Sequence, residues 1–146
     1  MMKAGELVIK KVFNCSKREL FDAWSQVSLL SKWFFAAPQK YKDSRVRSNF
    51  TVNGEYSLTM FFEDGSEASI WGHYQEITRY SAIVMSWNST IAKDSLVRLG
   101  FSALSANRAQ LTLKHSLFPD EASKAAHEQG WQACLANLEK LFGERE

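Results

Sequence analysis

Apolar positions recur at helical spacing through one long stretch, from Pro119 to Gly143. Trp131, Leu135, Leu138 and Phe142 form a stripe that Ala126, Cys134 and Leu141 widen, with Lys124, Glu128, Gln132 and Glu139 largely off it. Asp120 is placed to cap the first turn beside Glu121, Lys140 sits in the last turn, and Gly143 supplies a left-handed end. At about 1.5 Å per residue this predicts a helix roughly 35 Å long, enough to cross a small domain. Gly130 interrupts the stripe at a cost of about 1 kcal/mol relative to alanine. Either a backbone comes close there, or the helix must open there, or the glycine is simply tolerated beside Trp131.

Upstream the pattern is mostly of period two. Leu7 to Phe13 predicts a strand, and Ser16 with Glu19 forms a capping box for a short helix whose apolar face is Leu20, Phe21 and Trp24. Ser28 is placed to cap a second short helix through Leu29, Leu30, Trp33 and Phe34, which Ala37-Pro38 ends. This pair resembles a helix-turn-helix on paper, but its second helix offers Leu, Trp and Phe where base edges need Arg, Asn or Gln. Residues 39–44 read as a polar loop. Strands follow over Arg45 to Phe50, Tyr56 to Phe62, Glu67 to Ile77, Ala82 to Asn88, Ser95 to Ala103 and Arg108 to Leu117. Their turns lie at Asn53-Gly54, Asp64-Gly65, Arg79-Tyr80-Ser81 and Ala106-Asn107. A strand, two short helices, a run of strands and one long helix indicate an α+β domain: an antiparallel sheet of six or seven strands wrapped around the C-terminal helix.

That geometry raises the question of a pocket. The helix presents small residues (Ala122, Ala126, Gly130, Ala133, Cys134) opposite Tyr56, Met60, Met85, Trp87 and Phe101 on the sheet. Small against large suits an apolar cavity, and it equally suits ordinary interdigitation. Five Trp and ten Phe in 146 residues are many rings to place, in a core or around a cavity. A net charge of +2 is too mild to argue for nucleic acid, and the basic cluster Lys40, Lys42, Arg45 and Arg47 is interrupted by Asp43. No signal peptide, transmembrane run or repeat is visible. Cys15 and Cys134 read as free thiols of a cytoplasmic protein. The whole chain, 1–146, reads as a single domain.

Several strings in this order resemble a known family. They are Phe21-Asp22-Ala23-Trp24 with Leu30-Ser31-Lys32-Trp33-Phe34, then Asn53-Gly54-Glu55-Tyr56 with Met60, and Asp64-Gly65. Next come Trp71-Gly72-His73-Tyr74-Gln75-Glu76-Ile77, Ser86-Trp87, and His127-Glu128-Gln129-Gly130-Trp131 with Leu135 and Leu138. Together they resemble the activator of heat-shock-protein-90 ATPase homologue (AHSA1-like) family of the SRPBCC, or START and birch-pollen-allergen-like, superfamily. The resemblance implies a helix-grip fold with two short helices closing one end. Relatives with this fold bind lipids, sterols or polyketides, and some are polyketide cyclases or dehydratases. The eukaryotic activators bind the chaperone with the help of an extra N-terminal domain, for which this chain has no room.

Candidate chemistry is sparse. His115, in alternation with Leu111 and Leu113, and His127, one helical turn from Trp131, are the candidate acid–base groups; the alternative is that each caps a polar gap. The face of His73 is open. No metal-ligand spacing, phosphate loop or nucleophile elbow occurs, so no metal or cofactor is expected. Arg98 would anchor a ligand carboxylate or phosphate if it faced inward, and otherwise is solvated. Trp71 and Trp87, on neighbouring strands, are candidates for stacking on a ligand.

The expected function is non-enzymatic binding of a small apolar or amphipathic molecule (lipid, aromatic or polyketide-like) between sheet and helix. The expected lining is Tyr56, Met60, Trp71, Met85, Trp87, Arg98, Phe101, His127, Gly130 and Trp131, and Trp131→Ala is expected to change affinity more than folding. The alternatives are a cyclase or hydrolase using His115 or His127, and a chaperone-binding module marked by an exposed patch at Trp33, Phe34 and Phe35. No nucleic-acid partner or membrane insertion is expected, while a homodimer and a chaperone partner stay open.

Overall fold

The computed structural model of the protein describes residues 5–34 and 41–143. Strand β1 (Leu7–Phe13) is followed by helices α1 (Lys17–Ser25) and α2 (Val27–Trp33). Six strands come next: β2 (Tyr41–Ser48), β3 (Glu55–Phe62), β4 (Glu67–Thr78), β5 (Ala82–Ser89), β6 (Ala92–Ser105) and β7 (Arg108–Ser116), before α3 (Glu121–Phe142). The seven strands form one sheet in the order β1-β7-β6-β5-β4-β3-β2, every pair antiparallel. This is the expected helix-grip architecture, with two short helices after the first strand and one long C-terminal helix.

Local chemistry explains the helices. The Ser16 hydroxyl accepts from the Glu19 amide at 3.0 Å while the Glu19 carboxylate accepts from the Ser16 amide at 3.0 Å, the reciprocal capping box. Asp120 accepts from the Ser123 amide at 2.7 Å and caps α3, which ends at Gly143 with φ 64°. The expected cap of α2 is corrected: the helix starts at Val27, and Gln26 occupies the cap position without a side-chain hydrogen bond. The expected stop at Ala37-Pro38 lies outside the described residues, as does Phe35.

Alternation sets the sheet faces. Tyr56, Leu58 and Met60 of β3, Val97, Leu99 and Phe101 of β6, and Leu111, Leu113 and His115 of β7 are buried on the inner face. Residues 41–44 belong to β2 instead of a loop; an edge strand with only β3 beside it tolerates a polar sequence. Gly72 lets β4 approach β5 closely, since a Cβ there would collide with the Ser86 carbonyl.

The short helices pack their aromatics inward. Trp33 donates to the Ala23 carbonyl at 3.0 Å, and its ring meets that of Trp24 at 4.6 Å. Trp24 and Phe34 in turn contact Trp131, at 5.9 and 6.4 Å, which fastens the helix pair to α3. Trp33 and Phe34 are therefore core residues and contribute no exposed patch. Across the other end, Lys11 and Glu139 pair at 3.6 Å, an exposed contact worth little. No helix among the described residues is long and apolar enough to cross a membrane.

Candidate functional site

Between the inner sheet face and α3 lies a cavity of about 210 Å³. Its sheet wall is Leu58, Met60, Ala68, Ile70 and Trp87, and Phe34 closes the end towards the short helices. The helix wall is Ala126, Gly130 and Cys134, spaced four residues apart, with His127 and Trp131 beside them. Thr90 and Ile91 on the β5–β6 turn, with Ala126, are exposed and mark the mouth. No charged side chain occurs among the described lining residues.

The space exists because α3 is narrow on that side. A Cβ built on Gly130 would meet no atom within 4 Å. No backbone approaches, so the glycine leaves room instead of permitting contact. Gly130→Ala should therefore raise stability by about 1 kcal/mol, seen as a higher urea midpoint at unchanged slope. A lower midpoint would mean that α3 needs the glycine's backbone freedom.

At and behind the cavity wall two histidines each sit in a hydrogen-bond chain of their own. Indole N–H only donates, so Trp131 Nε1, 3.1 Å from His115 Nδ1, fixes that nitrogen as the acceptor. His115 then carries its proton on Nε2 and donates to the Ser95 hydroxyl at 2.9 Å, which passes its own proton to the Trp87 carbonyl at 2.6 Å. His127 donates from Nδ1 to the Ser123 carbonyl at 2.8 Å, leaving Nε2 to accept from Ser89 at 3.3 Å. Ser89 accepts the amides of Ile91 and Ala92, and Ser123 donates to the Ile91 carbonyl at 2.8 Å. The β5–β6 turn is thereby tied to the first turns of α3.

Burial, and then the nearby His127, lowers the His115 pKa to about 3. Burial likewise lowers that of His127, against the opposing pull of its bond to Ser123. Both rings are neutral at pH 7, and neither has a lone pair free to take a proton from a substrate. All four ring nitrogens of the acid–base candidates have protein hydrogen-bond partners. Among the described residues no cluster of His, Cys, Asp and Glu is arranged to hold a metal.

The expected lining residues divide into three groups. Met60, Trp87, His127, Gly130 and Trp131 come together on the cavity wall. Tyr56, Met85 and Phe101 face inward but pack solid: Tyr56 donates to the Ser86 carbonyl at 2.6 Å, Tyr56 and Met85 meet Trp24 around a void of about 10 Å³, and Phe101 abuts Phe21 at 5.3 Å. Trp71 and Arg98 lie on the outer face and cannot reach the cavity. Trp71 is 40% exposed because Ile70 and Tyr74 take the inner positions of β4, and Arg98 points out between the buried Val97 and Leu99. His73 is also outside, its Nδ1 3.0 Å from the Ser86 hydroxyl. Sequence reasoning passed over Ser89, Ser95 and Ser123, whose only signal is polarity at inward-facing or capping positions.

Trp131 is both wall and core. At 2% exposure, with rings of Trp24, Phe34, Trp87 and His115 around it, its truncation must act first on folding. Against the expectation that Trp131→Ala changes affinity more than folding, this burial predicts that folding is affected first.

Comparison with known proteins agrees with this architecture. A protein from Chromobacterium violaceum superposes with a TM-score of 0.82 at 19% identity, over 97% of this chain and 100% of that one. A protein from Rhizobium leguminosarum gives 0.78 at 24% identity over 100% of both chains. An Hsp90 activator from Plasmodium falciparum gives 0.77 at 23% identity, over 96% of this chain and 97% of that one. At these identities the likeness is one of fold. No curated protein matches the chain at a significant level. The family model described as "Activator of Hsp90 ATPase homolog 1-like protein" matches residues 14–143, and the chain belongs to that family.

Proposed function

We propose that the protein binds a compact, uncharged, largely apolar small molecule between the sheet and α3, without chemical conversion. The observation that carries this reading is the cavity itself, apolar-walled and kept open by Ala126, Gly130 and Cys134. The pocket opens to solvent past Thr90, Ile91 and Ala126 while its inner wall stays largely apolar. An apolar cavity of about 150 Å³ takes benzene, and drug-sized ligands need roughly 300 Å³ or more. At about 210 Å³ the space suits a single ring or a short chain, with any longer part reaching out past Ile91. A sterol or a four-ring polyketide is too large to be enclosed.

The two alternatives find less support. The acid–base reading needs a free lone pair, and His115 and His127 are both committed. The chaperone reading was to be favoured by an exposed patch, and Trp33 and Phe34 are buried.

Native mass spectrometry of freshly purified protein, with denaturing release of whatever is bound, tests the proposal. Gly130→Leu is the control, because a side chain there enters open space at the cavity wall. Wild type should carry a small molecule, or be stabilised by compact aromatic probes in thermal unfolding. Gly130→Leu should fold and lose both properties. A clean apo mass with no response to the probes would leave the proposal without support.

A further inference from the structure

We infer that the ligand is chain-like and enters tail first, with Phe34 as the end wall that sets the length of its tail. The apolar tail runs inward along α3, and a neutral polar end stays at the mouth. This rests on the ligand-binding reading above and adds the ligand's shape, its orientation and the residue that selects its length. The starting point is a gradient along the helix wall. Ala126, Gly130 and Cys134 all line the cavity, and they pass from exposed through half-buried to buried. The space is therefore a slot that runs inward from the first turns of α3. The eight residue steps from Ala126 to Cys134 make roughly 12 Å of helix at about 1.5 Å each. An extended chain advances roughly 1.2 Å per bond, so about ten bonds lie along such a wall. Volume is the tighter limit: about 210 Å³ holds about seven groups of water size at roughly 30 Å³ each.

Polarity follows the same direction. Thr90 is exposed at the mouth, beside Ser89 and its partner His127, whereas Leu58, Trp131 and Cys134 wall the buried part. The Trp131 N–H is already given to His115, so a polar group carried inward would lose water and find no partner. Left beside Thr90, it keeps its water. Phe34 stands where the tail must stop. Its ring lies 6.0 Å from that of Trp87 and 6.4 Å from that of Trp131. Beyond it the short helices meet α3, where Asn137 donates to the Trp33 carbonyl at 3.4 Å. Among the described lining residues, Phe34 alone is common to this cavity and to the void of about 10 Å³ that Trp24, Leu30 and Met85 help to line. The ring is the partition between two spaces, and shortening it joins them.

A homologous series measures the slot. The straight-chain 1-alkanols from butanol to decanol are titrated calorimetrically into wild type, Phe34→Ala and Phe34→Leu, with toluene as a compact reference. While the tail still gains wall, each added methylene should raise affinity about fourfold. In wild type the rise should stop near about seven carbons, the limit that the volume sets. In Phe34→Ala it should continue for about three carbons more, and in Phe34→Leu for about one, as the shortened side chain gives up its space to the tail. Phe34→Leu keeps most of the packing should the alanine variant not fold. Wild type alone gives a further readout: the terminal methyl of bound 1-heptanol should show nuclear Overhauser contacts to the Phe34 ring, and its carbinol methylene to Ile91. An unchanged stopping length in the variants, reversed contacts, or toluene binding while the alkanols do not would overturn the inference and leave the cavity reading standing. Failure of toluene and alkanols alike to bind wild type would overturn the two together.

Discussion

Acidification from pH 7 to pH 4.5 should cost the protein roughly 3 kcal/mol through His115 alone. In the native state this ring is fully buried, its Nδ1 takes the Trp131 indole proton, and its pKa is depressed from 6.5 to about 3 by burial and then by the neighbouring His127. In the unfolded chain the imidazole titrates near 6.5. Between those two values the unfolded state binds a proton that the native state refuses, so lowering the pH favours unfolding. The contribution is present in full above pH 6.5, is lost progressively below it, and ends near pH 3 at a limit on the order of 5 kcal/mol. His127, lowered in the same direction, adds to the slope. Set against the 5–15 kcal/mol that holds a domain together, this is a large fraction.

Urea midpoints at pH 7, 5.5 and 4.5 measure the effect; carboxylates begin to titrate at the lowest of these, a background that a non-titrating His115 variant shares with wild type. The informative variant is His115→Gln, whose amide can both accept from Trp131 and donate to Ser95 without titrating. It should be less stable than wild type by about 1–2 kcal/mol at pH 7 and should show a distinctly flatter pH dependence. A wild-type midpoint unchanged between pH 7 and 4.5 would mean that the buried ring is not held neutral.

These residues also show where the sequence was legible and where it was not. Features with local causes were read correctly: the Ser16–Glu19 box, the Asp120 cap, the Asp64-Gly65 turn and the α3 stripe each depend on neighbours within one turn of chain. Inward faces were read wherever alternation was unbroken, as at Tyr56, Met60 and Met85. They failed where apolar residues compete for a face. In β4, Trp71 and Tyr74 lie three apart and cannot both point inward without a bulge between them; the register shift falls after Tyr74, and Tyr74 takes the core. Arg98 lies in clean alternation with Val97 and Leu99, and its outward direction was the solvated alternative weighed for it. The start of β2 was hidden because an edge strand need not be apolar. Least legible was the polar chain. Ser95, His115 and Trp131 come from β6, β7 and α3, and they meet only once the sheet register and the docking of α3 exist. No periodicity encodes that meeting.

The second large effect expected is at Trp131, where truncation to alanine should cost about 4 kcal/mol or more and lower the melting temperature by roughly 15 °C. Three losses coincide. The indole leaves a hole between Trp24, Phe34 and Trp87, whose ring centroids lie 5.9, 6.4 and 4.8 Å from it. Removing a buried large aromatic in such a setting costs about 3–5 kcal/mol. The His115 Nδ1 acceptor is orphaned, at about 1–3 kcal/mol, with a share of that cost offset if water enters the new space. Finally, α3 loses its ring contacts to Trp24 and Phe34, which leaves the Asn137 hydrogen bond to the Trp33 carbonyl to hold the short helices to it. Trp131→Phe keeps one six-membered ring in the hole while losing the N–H and the rest of the indole, so it should cost clearly less than alanine. The comparison with Gly130→Ala is equally informative, since the adjacent residue on the same helix is expected to shift stability the other way. If Trp131→Ala melted within two or three degrees of wild type, the ring would have to belong to the cavity and not to the core. The aromatic bridge from α1 and α2 to α3 would then need another keystone, and Phe34, in contact with Trp24, Trp33, Trp87 and Trp131, is the side chain the geometry offers.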